Sequence, residues 1–232
     1  IDIAVSDPHE DVRCVWAERE DYSYTAASME KGLTDSHVMV RVHWSKKVQS
    51  PTEQQIERGL TDPVWRVREV WASRKDNAPT AEQILRGMTD DYWSVRMVWS
   101  ERQDFTPTHE QVMIGMTDEY FGVRARWARR MDFTPAPEQV WMGITDASSD
   151  VRMIWAKRTD YTPNLEQAER GLSDENRSVV LLWIQRTDYT PTTPLIERGL
   201  TDEDWSIRAA WLKRLDVSFT QEQIQRALSD RH

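Results

Sequence analysis

Thr89 to Gly115 reads TDDYWSVRMVWSERQDFTPTHEQVMIG, and the stretch before it, Thr61 to Gly87, reads TDPVWRVREVWASRKDNAPTAEQILRG. They are one pattern written twice. Trp16, Trp44, Trp71, Trp99, Trp127, Trp155, Trp183 and Trp211 hold one position of that pattern, 27 or 28 residues apart, along almost the whole chain. Self-similarity at such a period marks a repeat array, in which a short unit buries its apolar face only by stacking on its neighbours.

Within each unit the spacing predicts two short antiparallel helices. Val67, Trp71 and Arg74 recur at helical intervals, and Thr61 or Asp62 is expected to cap the first helix, with Pro63 at its first position. The segment Asp104-Phe105-Thr106-Pro107-Thr108 then ends that helix and starts the second behind a threonine cap. Gly32, Gly59, Gly87, Gly115, Gly143, Gly171 and Gly199 share one position, where a left-handed glycine would close the second helix and Leu60 or Met116 would pack back on its last turn. The core is expected where the tryptophans and valines of the first helix meet Ile56, Ile84, Val112, Val140, Ile196 and Ile224 of the second.

The predicted fold class is therefore all-α, an α-solenoid of about eight two-helix repeats forming one domain over residues 1–232. At one helix spacing per repeat it would extend roughly 70 Å. Residues 1–5 align with the end of a second helix, and Ser229-Asp230 with the start of a further repeat, so the sequence reads as a piece of a longer array.

The chain is 30% charged with a net charge of -9 and a mean hydropathy of -0.71. No apolar run approaches the roughly 18 residues of a membrane span, and no signal-peptide pattern stands at Ile1, so a cytoplasmic location is expected. A lone Cys14 excludes an internal disulfide and any cysteine-built metal or iron-sulfur site. The histidines share no repeat position, and no metalloprotease, nucleophile-elbow, phosphate-loop or dinucleotide motif occurs. No enzyme activity, metal or cofactor is expected.

The pattern of Asp followed six residues later by Arg, as in Asp62 with Arg68, Asp90 with Arg96 and Asp118 with Arg124, resembles HEAT-type repeats. The fuller pattern VRxxWAxRxDxTPxxEQ is closer to the leucine-rich repeat variant family, whose units read VRxxVA before a turn containing Thr-Pro. The resemblance covers all eight copies and implies a right-handed superhelix in which one helix of each repeat can be short and of the 3₁₀ type. Three features depart from the family: the units are longer, Trp stands where the family has a small valine-like residue, and the cysteine cluster of some members is absent.

The constant Asp and Arg positions read as a structural ladder, each aspartate capping its helix and accepting from its own or a neighbouring arginine. On that reading Asp174 loses its partner, because Val180 replaces the arginine of its repeat. Function is expected where the copies differ on exposed faces. Trp65, Glu69 and Ser73 define such a stripe on the first helix, nearly opposite Val67 and Trp71. Trp65, Trp93 and Phe121 fall in register there, and with Tyr92, Met97 and Tyr120 they are the candidate partner-binding residues, since aromatics mark recognition surfaces. On the second helix, Met113, Ile114, Trp141 and Met142 replace charged residues and form a candidate self-association patch. The expected function is non-catalytic recognition of a protein or peptide, with a possible homodimer. The alternatives are a nucleic-acid binder using Arg126, Arg129, Arg130, Lys157 and Lys213, and a purely structural scaffold.

Overall fold

A computed structural model describes residues 4–21 and 23–228. After a 3₁₀ turn at Ala4–Ser6 the chain forms α1 (Glu10–Glu18), α2 (Ala26–Leu33), α3 (Val38–Lys47), α4 (Glu53–Leu60), α5 (Trp65–Ala72), α6 (Ala81–Met88), α7 (Trp93–Glu101), α8 (His109–Met116), α9 (Phe121–Arg129), α10 (Pro137–Ile144), α11 (Ser149–Lys157), α12 (Leu165–Leu172), α13 (Arg177–Gln185), α14 (Thr193–Leu200), α15 (Trp205–Leu212) and α16 (Gln221–Leu228). No strand occurs among the described residues. Contacts divide the chain into two compact units, Ile1–Gly115 and Met116–His232. Each is an all-α stack of the two-helix repeats that the periodicity predicts, and both helices of every repeat are α rather than 3₁₀.

Within unit 1, α3 packs on α1 and α2, α5 on α3 and α4, and α7 on α5 and α6; unit 2 repeats the scheme with α11, α13 and α15. Each of α3, α5, α7, α11, α13 and α15 therefore closes a seam against the preceding repeat of its unit. The seams are built on tryptophan and glycine. Trp44, Trp71, Trp99, Trp155, Trp183 and Trp211 are no more than 3% exposed. A Cβ added at Gly32, Gly59, Gly87, Gly143, Gly171 or Gly199 would lie inside the indole ring of the next repeat's tryptophan. These glycines sit inside their helices, and none has positive φ. Their expected role as left-handed caps is thus corrected: glycine is required because an indole lies flat on the helix backbone there.

Threonine closes the helix instead. Thr61, at the C-cap of α4, donates its hydroxyl to the Glu57 carbonyl at 2.7 Å, and Thr34, Thr89, Thr145 and Thr201 repeat the bond. This satisfies a carbonyl that has no partner at a helix end. The following aspartate looks forward: Asp62 accepts the N–H of Val64, the N-cap of α5, so Thr61, Asp62 and Pro63 all precede the helix they were expected to open. Several even-numbered helices start on capping boxes: Thr52 and Gln55 exchange bonds at α4, and Thr80 with Gln83 at α6 and Asn164 with Gln167 at α12 do likewise. Pro51 and Pro79 therefore lie before the cap, whereas Pro137 occupies the first turn.

Two arginine ladders cross the seams. Arg13, Arg41, Arg68, Arg124 and Arg152 each grip the aspartate of the next repeat with Nε and Nη2, on Asp35, Asp62, Asp90, Asp146 and Asp174 respectively. Their Nη1 donates to the carbonyl of their own repeat's aspartate. The carboxylate bond holds Arg41, Arg68, Arg124 and Arg152 above the usual arginine range. Asp174 consequently has its partner in Arg152. The missing rung at Val180 falls on Asp202 instead, whose carboxylate takes the N–H of Asp204, because each arginine reaches forward.

The second ladder went unread in the sequence, although its signal, Arg then Asp two residues on, is periodic. Arg74, Arg102, Arg158 and Arg186 lie over the tryptophans of their own repeats, 4.8 to 5.3 Å from the ring centroids. Each pairs with the aspartate two residues on, Asp76, Asp104, Asp160 and Asp188. They also donate back to carbonyls of the preceding repeat, at Ser45, Ala72, Ala128 and Ala156. Cation, ring and backbone carbonyl are joined in one motif.

Candidate functional site

The exposed aromatics stand at helix starts. Trp65, Trp93, Phe121 and Trp205 are the first residues of α5, α7, α9 and α15, ahead of the tryptophan that enters the seam. In unit 1 the half-buried Trp65 ring stacks on Tyr92 of the next repeat, with centroids 4.2 Å apart and planes at 6°. Tyr92 lies 6.4 Å from Trp93 at 21°. Tyr92 is 37% and Trp93 39% exposed. Coplanar stacking across two repeats makes an apolar ridge with its ring faces and edges in water, and the Arg66 guanidinium sits 5.3 Å from the Trp65 ring.

In unit 2, Tyr120 and Phe121 are 5.3 Å apart and tilted by 54°, and Phe121 is 45% exposed. Gly122, the one glycine outside the repeat position, makes room for Tyr120: a Cβ there would meet its Cε1 at 2.6 Å. The sequence carried that signal in the out-of-register glycine. Trp205 is the most exposed tryptophan of the set, at 66%.

The structure does not keep the whole expected stripe open. The residues in register with Glu69 on α3 and α9, Val42 and Ala125, are buried, and Glu69 and its α7 counterpart Met97 are half-buried. Neighbouring helices run roughly 8–10 Å apart, so mid-helix residues touch across the seam. On the second helices, Met113 and Ile114 in unit 1 and Trp141 and Met142 in unit 2 are half-buried as well. The aromatic turn residues Tyr161 and Tyr189 belong to the core: their hydroxyls donate to the Trp155 and Trp183 carbonyls, and burial pushes the Tyr161 phenol up to about 12.

Of the basic groups, Arg130 is buried, pairs with Asp132 at 2.6 Å and covers the Trp127 ring. It is withdrawn from the expected set of phosphate-binding residues. Arg126, Arg129, Lys157 and Lys213 are exposed. The ladder arginines are likewise committed to carboxylates and carbonyls within the protein.

A chain composed of such seams has solved counterparts. A structure described as a leucine-rich repeat variant with a novel repetitive protein structural motif superimposes with a TM-score of 0.68 over 92% of this chain and 79% of that one, at 22% identity. The fold is that of a leucine-rich repeat variant. No family model matches the sequence, and no curated protein matches it. The leucine-rich repeat variant fold accounts for the paired helices and the VRxxWA core. At this identity it carries the architecture alone, so the surface aromatics have to be read from their own geometry. Among the described residues no helix is long and apolar enough to cross a membrane.

Proposed function

We propose that this protein is a non-catalytic recognition module that binds a protein or peptide through Trp65, Tyr92, Trp93 and Met97 of unit 1, with Tyr120 and Phe121 offering a second aromatic surface on unit 2. The observation that carries the reading is the Trp65–Tyr92–Trp93 stack. Large rings fixed by stacking lose little conformational freedom on binding, which is why buried aromatic anchors dominate interface energetics. A cytoplasmic setting suits the chain's single cysteine, since small disulfide frameworks belong to oxidising compartments.

Peptide-display selection against the wild type, counter-selected with Trp65→Ser and Trp93→Ala, tests the assignment. Binders that lose about tenfold or more in affinity on either substitution support it. A set of selected binders indifferent to both would refute it. Met113 with Ile114 on unit 1, and Trp141 with Met142 on unit 2, are each proposed as self-association surfaces, for which sedimentation supplies the measurement. Concentration-dependent dimerisation weakened by Ile114→Arg or by Met142→Arg is expected, because a two-fold contact lets an apolar patch cover its own copy. A wild type monomeric at high micromolar concentration removes both surfaces.

A further inference from the structure

Two places after Trp127, Trp155, Trp183 and Trp211 of unit 2 stand Arg129, Lys157, Gln185 and Lys213, all exposed. In unit 1 the same places hold Glu18, Lys46, Ser73 and Glu101. The unit 2 cations are also unspent. No carboxylate among the described residues pairs with Lys157 or Lys213, and Arg129 reaches only the Ala125 carbonyl, at 3.5 Å. Nearby arginines differ: Arg124, Arg130, Arg152, Arg158, Arg186 and Arg214 are all bound to aspartates.

Grooves flank the row. Lys157, Thr159, Thr162, Gln185 and Thr187 line one, and Gln185, Thr187, Ala210 and Lys213 line the next. Because both contain Gln185 and Thr187, the track is continuous across those repeats. The carboxylates beside it, Asp188 and Asp216, are neutralised by Arg186 and Arg214.

We propose that this row docks an acidic, extended peptide segment in the polyproline II conformation, with carboxylates presented at three-residue intervals. The pitch decides the conformation. Successive first helices lie roughly 8–10 Å apart, and a polyproline II strand rises about 3.1 Å per residue with three residues per turn. Every third side chain therefore returns to one face after about 9 Å, one repeat further on. Carboxylates at the first, fourth and tenth peptide positions face Arg129, Lys157 and Lys213, and a polar seventh residue faces Gln185. A β-strand alternates faces at each residue and would turn the fourth side chain away. Duplex nucleic acid presents a charge about every 1.7 Å, far denser than this row, and meets a protein of net charge -9.

The test is fluorescence anisotropy with a labelled, proline-rich peptide of about twelve residues bearing glutamate at positions 1, 4 and 10 and glutamine at 7. Wild-type protein is expected to bind it, and Lys157→Glu with Lys213→Glu to weaken binding by about tenfold or more through like-charge repulsion. Lys157→Gln with Lys213→Gln, which only removes charge, should fall between the two, with unchanged circular dichroism in each case. Moving the glutamates to positions 1, 3 and 5 should weaken binding about fivefold or more, since only one then meets a cation. Absence of binding to the wild type, equal affinity of the Lys→Glu pair, or equal affinity of the shifted peptide overturns the proposal. A single-stranded oligonucleotide of matched length that binds more tightly than the peptide, and is weakened by the same variants, assigns the row to nucleic acid instead.

Discussion

Trp93 and Trp99 sit six residues apart on α7 and meet opposite fates: Trp93 is 39% exposed, whereas Trp99 is 1% exposed. Trp205 and Trp211 on α15 repeat the contrast. Residue type and helix are the same, so the difference lies in what each indole faces. Trp99 lies on Gly87 of the preceding repeat and beneath Arg102, while Trp93 begins its helix and stacks beside the exposed Tyr92. Tryptophan in this chain is thus both the seam and the ridge, and position in the repeat separates the two.

Substitution on that one helix is the strongest way to break the contrast. Trp99→Ala should cost about 3–5 kcal/mol of unfolding free energy, because it empties an enclosed site. Trp93→Ala should stay within about 1 kcal/mol. Equal losses in urea unfolding would place both rings in one core.

The ladder pairs extend the comparison to charge. Arg152 and Asp174 are 4% and 0% exposed, whereas Arg177 and Asp204 are 56% and 24% exposed. Removing Arg152 leaves the buried Asp174 carboxylate with only the long Arg170 contact at 3.5 Å and the Asn176 N–H, so Arg152→Ala should cost about 3 kcal/mol. Arg177→Ala should cost below about 1 kcal/mol. A small loss at Arg152, measured in the same way, would mean that water reaches Asp174 readily.

Glycine supplies the next test. Gly171→Ala drives a methyl into the Trp183 ring and should cost about 1–3 kcal/mol as an overpacking change. Gly122→Ala presses on the half-buried Tyr120 and should cost less, visible as a shift in tyrosine environment rather than in the unfolding midpoint. If Gly171→Ala is neutral or stabilising by helix propensity, the indole is free to slide and the close approach is dispensable.

The smallest effect is a gain. Trp71 donates its indole N–H to Ser45 at 2.8 Å, but the Trp155 and Trp183 indole nitrogens are buried without an acceptor, where Ala128 and Ala156 occupy the place of Ser45. Ala156→Ser should therefore stabilise by about 1 kcal/mol, the worth of one satisfied buried hydrogen bond. A loss on thermal unfolding would show that the hydroxyl finds the helix carbonyl and leaves the indole unmet.

Periodicity carried most of the fold in plain view. Trp71, Val67 and Ile56 recur at fixed intervals, and recurrence with an apolar face forces stacking whatever the exact geometry. Cap chemistry was less legible: Thr61-Asp62-Pro63 suits a helix start by residue type, yet Thr61 closes the helix before it, since a hydroxyl bonds backward to a carbonyl as readily as forward to an amide. The register positions of Trp65, Trp93 and Phe121 could be read from helical angle. The burial of Val42 and Ala125 could not, because helical angle describes one helix and the seam involves two.

From sequence alone, then, the repeat, its two helices, its all-α class and its tryptophan core follow, because each rests on spacing within a single chain segment. Three matters needed tertiary structure. Glycine serves contact rather than left-handed conformation, each ladder arginine holds the next repeat's aspartate, and Arg130 is locked into the core while Lys157 and Lys213 stay open to solvent. Each depends on which side chain a neighbouring repeat brings within reach, and that is set by the rotation and distance between stacked helices, quantities that no one-dimensional period contains.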